Sequence, residues 1–352
     1  MAFTTVNKST DYFNTKLYTG NGSTNAITGV GFQPDWTWLK SRSDTYSHSW
    51  TDAVRGVTKK IASNNSNAEY TSSTELTSFD SDGFTLGTDA GVNNNASTFV
   101  SWNWKANGQG SSNGDGSITT TYTSANTTSG VSIIQYTGNG VDGATIGHGL
   151  GVAPTFLITK KTSGSESWYV GSSGLTSWDY KLYLDTTDAQ STNSPSVWGG
   201  AAPTSSTVSL GNSAPTNASG QTYIMYAFAE KTGFSKFGSY TGNGNADGPF
   251  VYTGFKPAFV LIKKATGSAD SWFINDNKRS SSGGFNENSY YIRPNENATE
   301  GTSSSLAIDI LSNGVKIKNT DTAYNNDNST YIYMAFAAAP IVGTNDIAAN
   351  AF

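Results

Sequence analysis

The pentapeptide YTGNG stands at residues 18–22, 136–140 and 240–244 of this 352-residue chain. Glycine and asparagine tolerate the left-handed backbone region, and a tyrosine ring can pack while its hydroxyl finds a hydrogen-bond partner. We therefore interpret each copy as the end of a strand that runs into a tight turn. The alternative, a phosphate-binding glycine loop, is disfavoured because no helix start and no lysine at Walker spacing follow.

The same series of motifs follows each copy. First comes a proline with an apolar strand, in GFQPDWTWLK (31–40), GVAPTFLITKK (151–161) and GFKPAFVLIKK (254–264). A Ser-Trp pair comes next, and its tryptophan lies 32 residues after the tyrosine in every copy (18 to 50, 136 to 168, 240 to 272). A one-residue slip would turn a strand's side chains to the wrong face, so a constant offset indicates a register-locked sheet. Tyr18, Tyr136 and Tyr240, with Trp50, Trp168 and Trp272, are therefore predicted structural positions of one repeat.

Each repeat ends in a strand of alternating character, at 98–108, 222–233 and 330–340. Period-two alternation predicts one apolar face per strand, formed by Val100, Trp102 and Trp104, by Ile224, Tyr226 and Phe228, and by Ile332, Met334 and Phe336. Before this strand, Asp82-Gly83 and Asn313-Gly314 predict hairpins with type I′ turns. The second repeat lacks that signal at 206–212, which leaves its hairpin open.

The repeats define the predicted organisation of the chain. It comprises an N-terminal arm (1–15), module 1 (16–108), a Gly/Ser linker (109–130), module 2 (131–231), module 3 (232–340) and a C-terminal arm (341–352). Short strands and turn signals predict an all-β fold of three tandem antiparallel β-sandwich modules, jelly-roll-like or lectin-like. Residues 52–63 are the one mild helical candidate.

Composition narrows the classes of function. The chain has 36% apolar and 13% charged residues, a net charge of −5 and no cysteine. Without a basic run, nucleic acid is an unexpected partner. Without an apolar leader or a stretch of about 20 apolar residues, we expect neither a secretory signal nor a membrane span. We expect synthesis in a host cytoplasm and no cofactor.

Several motifs together are similar to a known family. G-F-x-P-x-W-x-W-L-K (31–40), DAVRG (52–56), DSDGFTLG (80–87) and YIYMAFAAAP (331–340) resemble the β-rich modules of tailed-bacteriophage virion structural proteins, especially those of marine phages and cyanophages. The resemblance covers nearly the whole chain and is weakest in module 2. It implies a protein of the virion surface, such as a tail fibre, adhesin, knob or capsid decoration protein, and it implies no catalytic residues.

Candidate catalytic groups are sparse. His48 and His148, the two histidines, fall in Gly/Ser/Thr-rich loops of different modules, where we expect polar surface residues. Paired acids occur at Asp80/Asp82, Asp185/Asp188 and Glu296/Glu300. Glycosidases need two carboxyl groups across a cleft, yet no acid recurs at one position in all three modules, which disfavours a hydrolase.

Two weak binding sites remain as predictions. Asp80 and Asp82 resemble the start of a calcium loop, although the rest of the motif is missing, and capping of a turn is the favoured explanation of the pair. Trp178 and Trp198 have no counterpart in the other modules. If exposed, they would stack on sugar rings of a glycan; ordinary packing within their loops is the favoured interpretation.

These observations predict a non-enzymatic bacteriophage virion-surface structural protein, of capsid decoration or knob type, or a short fibre, since no heptad stalk is present. Its partners would be other virion proteins, with many copies or a homo-oligomer on the particle. The alternatives are a receptor-binding adhesin that recognises host-surface glycan and, less favoured, a glycan depolymerase.

Overall fold

The computed structural model describes residues 4–192, 196–279 and 287–340. Nearly all of its regular structure consists of antiparallel strands, with helices of only three or four residues. The all-β prediction is therefore confirmed.

The elements of module 1 are β1 (Phe13–Thr19), β2 (Asn25–Thr28), β3 (Trp36–Ser41), β4 (Ser49–Asp52), β5 (Lys59–Lys60), β6 (Tyr70–Thr71), β7 (Leu76–Asp80), β8 (Gly83–Leu86), α1 (Ala90–Asn93) and β9 (Thr98–Trp104). They form a main sheet with the strand order β1-β9-β3-β4 and a smaller sheet with the order β2-β8-β7. The buried Val6 and the first residues of β1, from Phe13, lie within the predicted N-terminal arm, so that segment belongs in part to the fold.

Modules 2 and 3 repeat this plan. Module 2 contains β10 (Tyr122–Asn126), β11 (Val131–Thr137), β12 (Ala144–Gly147), β13 (Phe156–Lys161), β14 (Tyr169–Ser172), β15 (Tyr180–Tyr183), β16 (Ser191–Thr192), β17 (Thr207–Leu210), α2 (Ala214–Asn217) and β18 (Thr222–Phe228). Module 3 contains β19 (Ser235–Thr241), β20 (Phe250–Tyr252), β21 (Phe255–Lys264), β22 (Trp272–Asp276), β23 (Tyr290–Tyr291), β24 (Gly301–Thr302), β25 (Ile308–Leu311), β26 (Gly314–Ile317), α3 (Thr322–Asn325) and β27 (Thr330–Pro340). The orders β11-β18-β13-β14 and β19-β27-β21-β22 match the main sheet of module 1.

The segment 109–130 is not the flexible linker that its Gly/Ser content predicts. Strand β10 pairs with β11 along its whole length, and Ile118 N donates to Thr145 O at 2.9 Å. The backbone of this segment is thus hydrogen-bonded onto module 2. The helical candidate at 52–63 is also wrong, because these residues form turns and strand β5. The predicted C-terminal arm lies outside the described residues.

The two predicted hairpins are present, with a different turn. Strands β7 and β8 pair Asp80 with Gly83, and β25 and β26 pair Leu311 with Gly314. The loop residues are therefore Ser-Asp and Ser-Asn, one position earlier than expected. None of the four has a positive φ angle, so the type I′ turn is not formed. In module 2, β17 pairs with β12 alone among the described residues.

The YTGNG copies form three equivalent corners. Each tyrosine ring stacks on the aromatic residue opposite it, and its hydroxyl donates to a carbonyl of the short helix: Tyr18 to Val92 O (2.8 Å), Tyr136 to Thr216 O (2.7 Å) and Tyr240 to Tyr324 O (2.9 Å). The first glycine has to be glycine, because a Cβ on Gly20 would lie 2.1 Å from Asn94 O. The second glycine takes a positive φ, 68° at Gly22.

A buried asparagine at the end of each short helix holds this corner. Its side-chain oxygen accepts a hydrogen bond from the backbone N–H of the asparagine in YTGNG, in the pairs Asn93 with Asn21 (3.0 Å), Asn217 with Asn139 (2.9 Å) and Asn325 with Asn243 (2.8 Å). The amide of Asn93 also donates to Gly87 O at 2.6 Å. Sequence analysis missed these asparagines, although each lies five residues before the threonine that opens the last strand (93 to 98, 217 to 222, 325 to 330).

The three modules share one apolar core. The largest cluster of buried side chains joins the inner faces of all three main sheets. Ring contacts cross every boundary between modules, with centroid distances of 4.7 Å for Trp50 and Trp168, 6.2 Å for Phe228 and Phe336, and 5.1 Å for Phe13 and Phe336. The predicted inner-face residues of the last strands belong to this cluster, as do Trp50, Trp168 and Trp272. The modules are therefore not independently packed domains.

Hydrogen bonds close the modules into a ring. A backbone N–H of each module donates to the equivalent carbonyl of the next, in the pairs Glu69 to Thr162 (3.0 Å), Gln190 to Ala265 (2.8 Å) and Glu300 to Arg42 (2.9 Å). The third pair returns from module 3 to module 1. The arrangement thus approximates a threefold repeat built from one chain.

We call each interface between two neighbouring modules a joint. Two of the three joints contain a fully buried ion pair. In module 1, Asp52 pairs with Arg55 and accepts a hydrogen bond from Tyr226 OH of module 2 at 2.7 Å. In module 3, Asp276 pairs with Arg279 and accepts from Trp102 Nε1 of module 1 at 2.9 Å. Strand register makes Ser172 of module 2 equivalent to these aspartates and Met334 equivalent to Tyr226 and Trp102. The third joint therefore has Ser172, Leu175 and Met334 in place of the polar network.

The buried asparagine that holds each corner, which we call the asparagine latch (Asn93, Asn217 and Asn325), gives a first prediction. Asn93→Ala should lower the free energy of unfolding by about 3 kcal/mol, because buried partners lose their hydrogen bonds. Urea unfolding followed by tryptophan fluorescence measures this change. The exposed neighbour Asn95 is the matched control, and Asn95→Ala should alter stability by at most about 0.5 kcal/mol. Equal effects of the two substitutions would contradict the latch.

The joints give a second prediction. Arg55→Leu alone should destabilise the protein by about 3–5 kcal/mol, because Asp52 is left buried and uncompensated. The triple variant D52S/R55L/Y226M copies the third joint and should recover more than half of that loss, since apolar side chains often replace buried ion pairs without penalty. Urea unfolding of both variants checks this. A triple variant less stable than the single one would show that the joints are not interchangeable.

Candidate functional site

The predicted glycan platform of Trp178 and Trp198 is not formed as expected. Trp198 is only 2% exposed and belongs to the outer core of module 2, and Trp178 is half-buried against the same cluster. Both rings lie over Gly171 of β14, where a Cβ would approach each ring to 2.9 Å. The missing side chain makes room for the indoles, so both tryptophans pack within module 2. The glycine in YVGS (169–172) was the available signal.

The predicted calcium ligands act as turn-forming residues. The carboxylate of Asp82 accepts hydrogen bonds from Gly29 N (2.9 Å) and Gly31 N (2.7 Å), and these bonds lower the pKa of Asp82. Asp80 accepts from the hydroxyls of Ser78 (2.8 Å) and Thr85 (2.6 Å). Throughout the described ranges, no group of three or more potential metal ligands comes together. The geometry therefore supports the capping interpretation for Asp82, whereas Asp80 binds side-chain hydroxyls of its own hairpin.

The other two acid pairs are also engaged within the protein. Asp185 accepts from Trp168 N at 3.1 Å, and Asp188 accepts from the hydroxyl of Thr186 at 2.9 Å. Glu300 binds Arg42 across the joint between modules 3 and 1, at 2.8 Å.

Both histidines are buried, which corrects the expectation of surface residues. His48 is 1% exposed; its Nδ1 accepts from Trp38 Nε1 at 2.7 Å and its Nε2 lies 3.0 Å from Arg293 O of module 3. His148 Nδ1 accepts from Leu150 N at 3.1 Å, and its Nε2 lies 3.2 Å from Thr204 O. Burial lowers the pKa of both imidazoles, most strongly that of His48, so both are neutral near pH 7. Their polar loops gave no signal of this burial.

Sequence analysis also missed three buried lysines at equivalent positions, Lys40, Lys160 and Lys263. Burial lowers the pKa of each to about 8. Lys160 Nζ donates to Ser66 O of module 1 at 3.0 Å, and Lys263 Nζ donates to Thr187 O of module 2 at 2.9 Å. Lys160 and Lys263 therefore connect a loop of one module to a strand of the next, whereas Lys40 Nζ donates to Ser41 O (2.7 Å) and Asp44 O (3.2 Å) within module 1. The lysine at the end of each repeated apolar strand could have indicated these equivalent positions in the sequence.

Module 1 has a cavity of about 390 Å³ beside the start of β4. Its lining comprises Tyr46, Ser47, His48, Ser49, Tyr70, Glu75, Asp89, Ala90, Gly91 and Val92. Glu75 on this lining is 4% exposed and accepts hydrogen bonds from Tyr70 OH (2.6 Å) and Ser49 Oγ (2.7 Å). Lys60 Nζ lies 3.6 Å from the same carboxylate. Aromatic and polar side chains, with a buried acid among them, therefore line one concave surface of module 1.

The buried histidines give a third prediction, on pH. Because the folded-state pKa values lie below that of unfolded histidine, about 6.5, the unfolded chain takes up protons first as the pH falls. The contribution of the two histidines to the free energy of unfolding should be complete above pH 7. It should fall below pH 6.5, by at most about 1.4 kcal/mol per pH unit for each histidine. Urea unfolding between pH 7.5 and 5.5 measures the slope. The variant H48Q/H148Q keeps amide donors and acceptors but does not titrate, and an unchanged slope in it would contradict the assignment.

Comparison with known proteins assigns the chain to a family whose function is unknown. No helix in the described part of the chain has the length and apolar character needed to cross a membrane. No curated protein and no solved structure matches the chain. Residues 8–340 match the model of a domain of unknown function, DUF7483. That single match covers all three modules, and the chain belongs to the DUF7483 family.

Proposed function

We propose that the chain is a non-enzymatic structural protein of a bacteriophage virion surface, a capsid decoration or knob-like protein or a short fibre. The observation that carries the proposal is the closed ring of three modules around one aromatic core. Such a ring is held by contacts between residues far apart in sequence, which suits a rigid part that bears load. The resemblance of the repeated motifs to phage virion modules supports the same assignment.

The state of the acids supports a role without catalysis. Hydrolysis of glycans needs two carboxyl groups facing each other across an open cleft. Here Asp82, Asp185 and Glu300 each accept hydrogen bonds from the chain itself. The work of the protein is then done by its surfaces, in contact with other virion proteins.

A receptor-binding adhesin is the second candidate, and the cavity of module 1 is the observation that favours it. The volume of about 390 Å³ falls within the range of small-molecule sites, about 300–1,000 Å³. An adhesin would be a virion-surface protein as well, so the two candidates differ in whether the protein binds the host.

A fourth prediction tests the location. Antibodies against the folded chain, followed by gold-labelled electron microscopy of purified particles, should decorate the outside of intact virions at many regular sites. Separating heads from tails before labelling distinguishes a decoration protein from a fibre. Particles that carry no label, with all of the chain in the soluble fraction of the lysate, would overturn the proposal.

A further inference from the structure

The cavity of module 1 combines features that the scaffold does not need. Its walls are the loop before β4, strand β6, the start of β7 and the short helix α1. Tyr70 lies on its rim with 47% of its surface exposed, and Tyr46 is partly exposed on the loop before β4. An exposed aromatic ring beside a concave polar surface is a platform for the apolar face of a ligand.

The ring of Tyr70 is held in place before any ligand arrives. Its hydroxyl donates to Glu75 Oε1 at 2.6 Å, and Glu75 is itself fixed by Ser49 Oγ at 2.7 Å. The partial burial of the Tyr70 phenol and the neighbouring Glu75 both raise its pKa, so the hydroxyl stays protonated. A platform that is already ordered loses little conformational freedom on binding, which favours affinity.

The polar groups point to a neutral ligand. Asp89 on the lining repels an anion, and its carboxylate already accepts a hydrogen bond from Gly91 N at 2.8 Å. The charge of Glu75 is balanced by Lys60 and by two hydroxyl donors, so both acids are already engaged and attract a cation only weakly. Carboxylate, serine and tyrosine oxygens together offer donors and acceptors for several hydroxyl groups. A ring with one apolar face and many hydroxyls fits this combination.

Modules 2 and 3 lack this platform, because strand pairing places Ser191 and Gly301 where module 1 has Tyr70. In module 3 the Ser-Trp serine, Ser271, also donates to an acid, Glu296, at 2.9 Å, but this acid comes from a different segment than Glu75 does. The exposed tyrosine bonded to a buried acid is therefore a feature of module 1.

We propose that the cavity lined by Tyr46, Ser49, Tyr70, Glu75 and Asp89 binds a neutral sugar ring. The ring stacks on Tyr70 and directs hydroxyl groups at the carboxylate side of the cavity. This inference rests on the cavity and not on the virion location, so either can fail while the other stands.

The test is titration calorimetry of the intact chain against neutral hexose and N-acetylhexosamine oligosaccharides. At least one should bind with saturation, and Tyr70→Ala should weaken it by about tenfold or more, the loss expected from one good contact. Tyr70→Phe keeps the ring and should retain most of the affinity. Tyr252, 60% exposed in module 3, supplies the control, and Tyr252→Ala should bind as the parent does.

Three outcomes would overturn the inference: no binding of any neutral sugar at about millimolar concentration, equal affinity in the parent and Tyr70→Ala, or equal losses in Tyr70→Ala and Tyr252→Ala. Binding of a cationic amine in place of the sugars would also overturn it. Urea unfolding of Tyr70→Ala confirms that the variant is folded, so that lost binding reports on the platform.

Discussion

The packing of three inner sheet faces on one another is the constraint on which the rest of this structure depends. Each main sheet presents large aromatic side chains inward, and these rings meet those of both other modules. In a single module the small outer sheet would cover only the outer face of the main sheet, and the aromatic inner face would be exposed to water. Closure of the ring buries all three faces at once, and this requirement explains why one chain carries three copies of the repeat.

Polar contacts at the joints give each interface its own pairing. Asp52 accepts a hydrogen bond from Tyr226, and Asp276 accepts one from Trp102, while the third joint has serine, leucine and methionine at the equivalent positions. An unpaired buried charge is strongly unfavourable, so a module docked on the wrong neighbour would leave an aspartate without its partner. The unequal joints thus favour one order of modules around the ring.

The candidate sites show where local reasoning succeeds and fails. The turn role of Asp82 was foreseen, because short acids in Gly-containing turns cap nearby backbone N–H groups. The burial of His48 and His148 was not foreseen, since their flanking residues are polar and small. Burial of these side chains depends on distant groups, such as Arg293 O for His48. The cavity of module 1 was likewise invisible, because Tyr70, Glu75 and Ser49 come together only when β4, β6 and β7 are assembled.

The sequence by itself determined the repeat, the positions of the inner-face residues and the three YTGNG corners, because turn chemistry and period-two alternation act between neighbours in the chain. Tertiary structure alone decided that the modules close into a ring, that the Gly/Ser segment lies hydrogen-bonded on module 2, and that histidines and lysines are buried. These features rest on contacts such as Trp102 with Asp276, 174 residues apart. No local pattern specifies such a contact, because it forms only when separate sheets have found their common core.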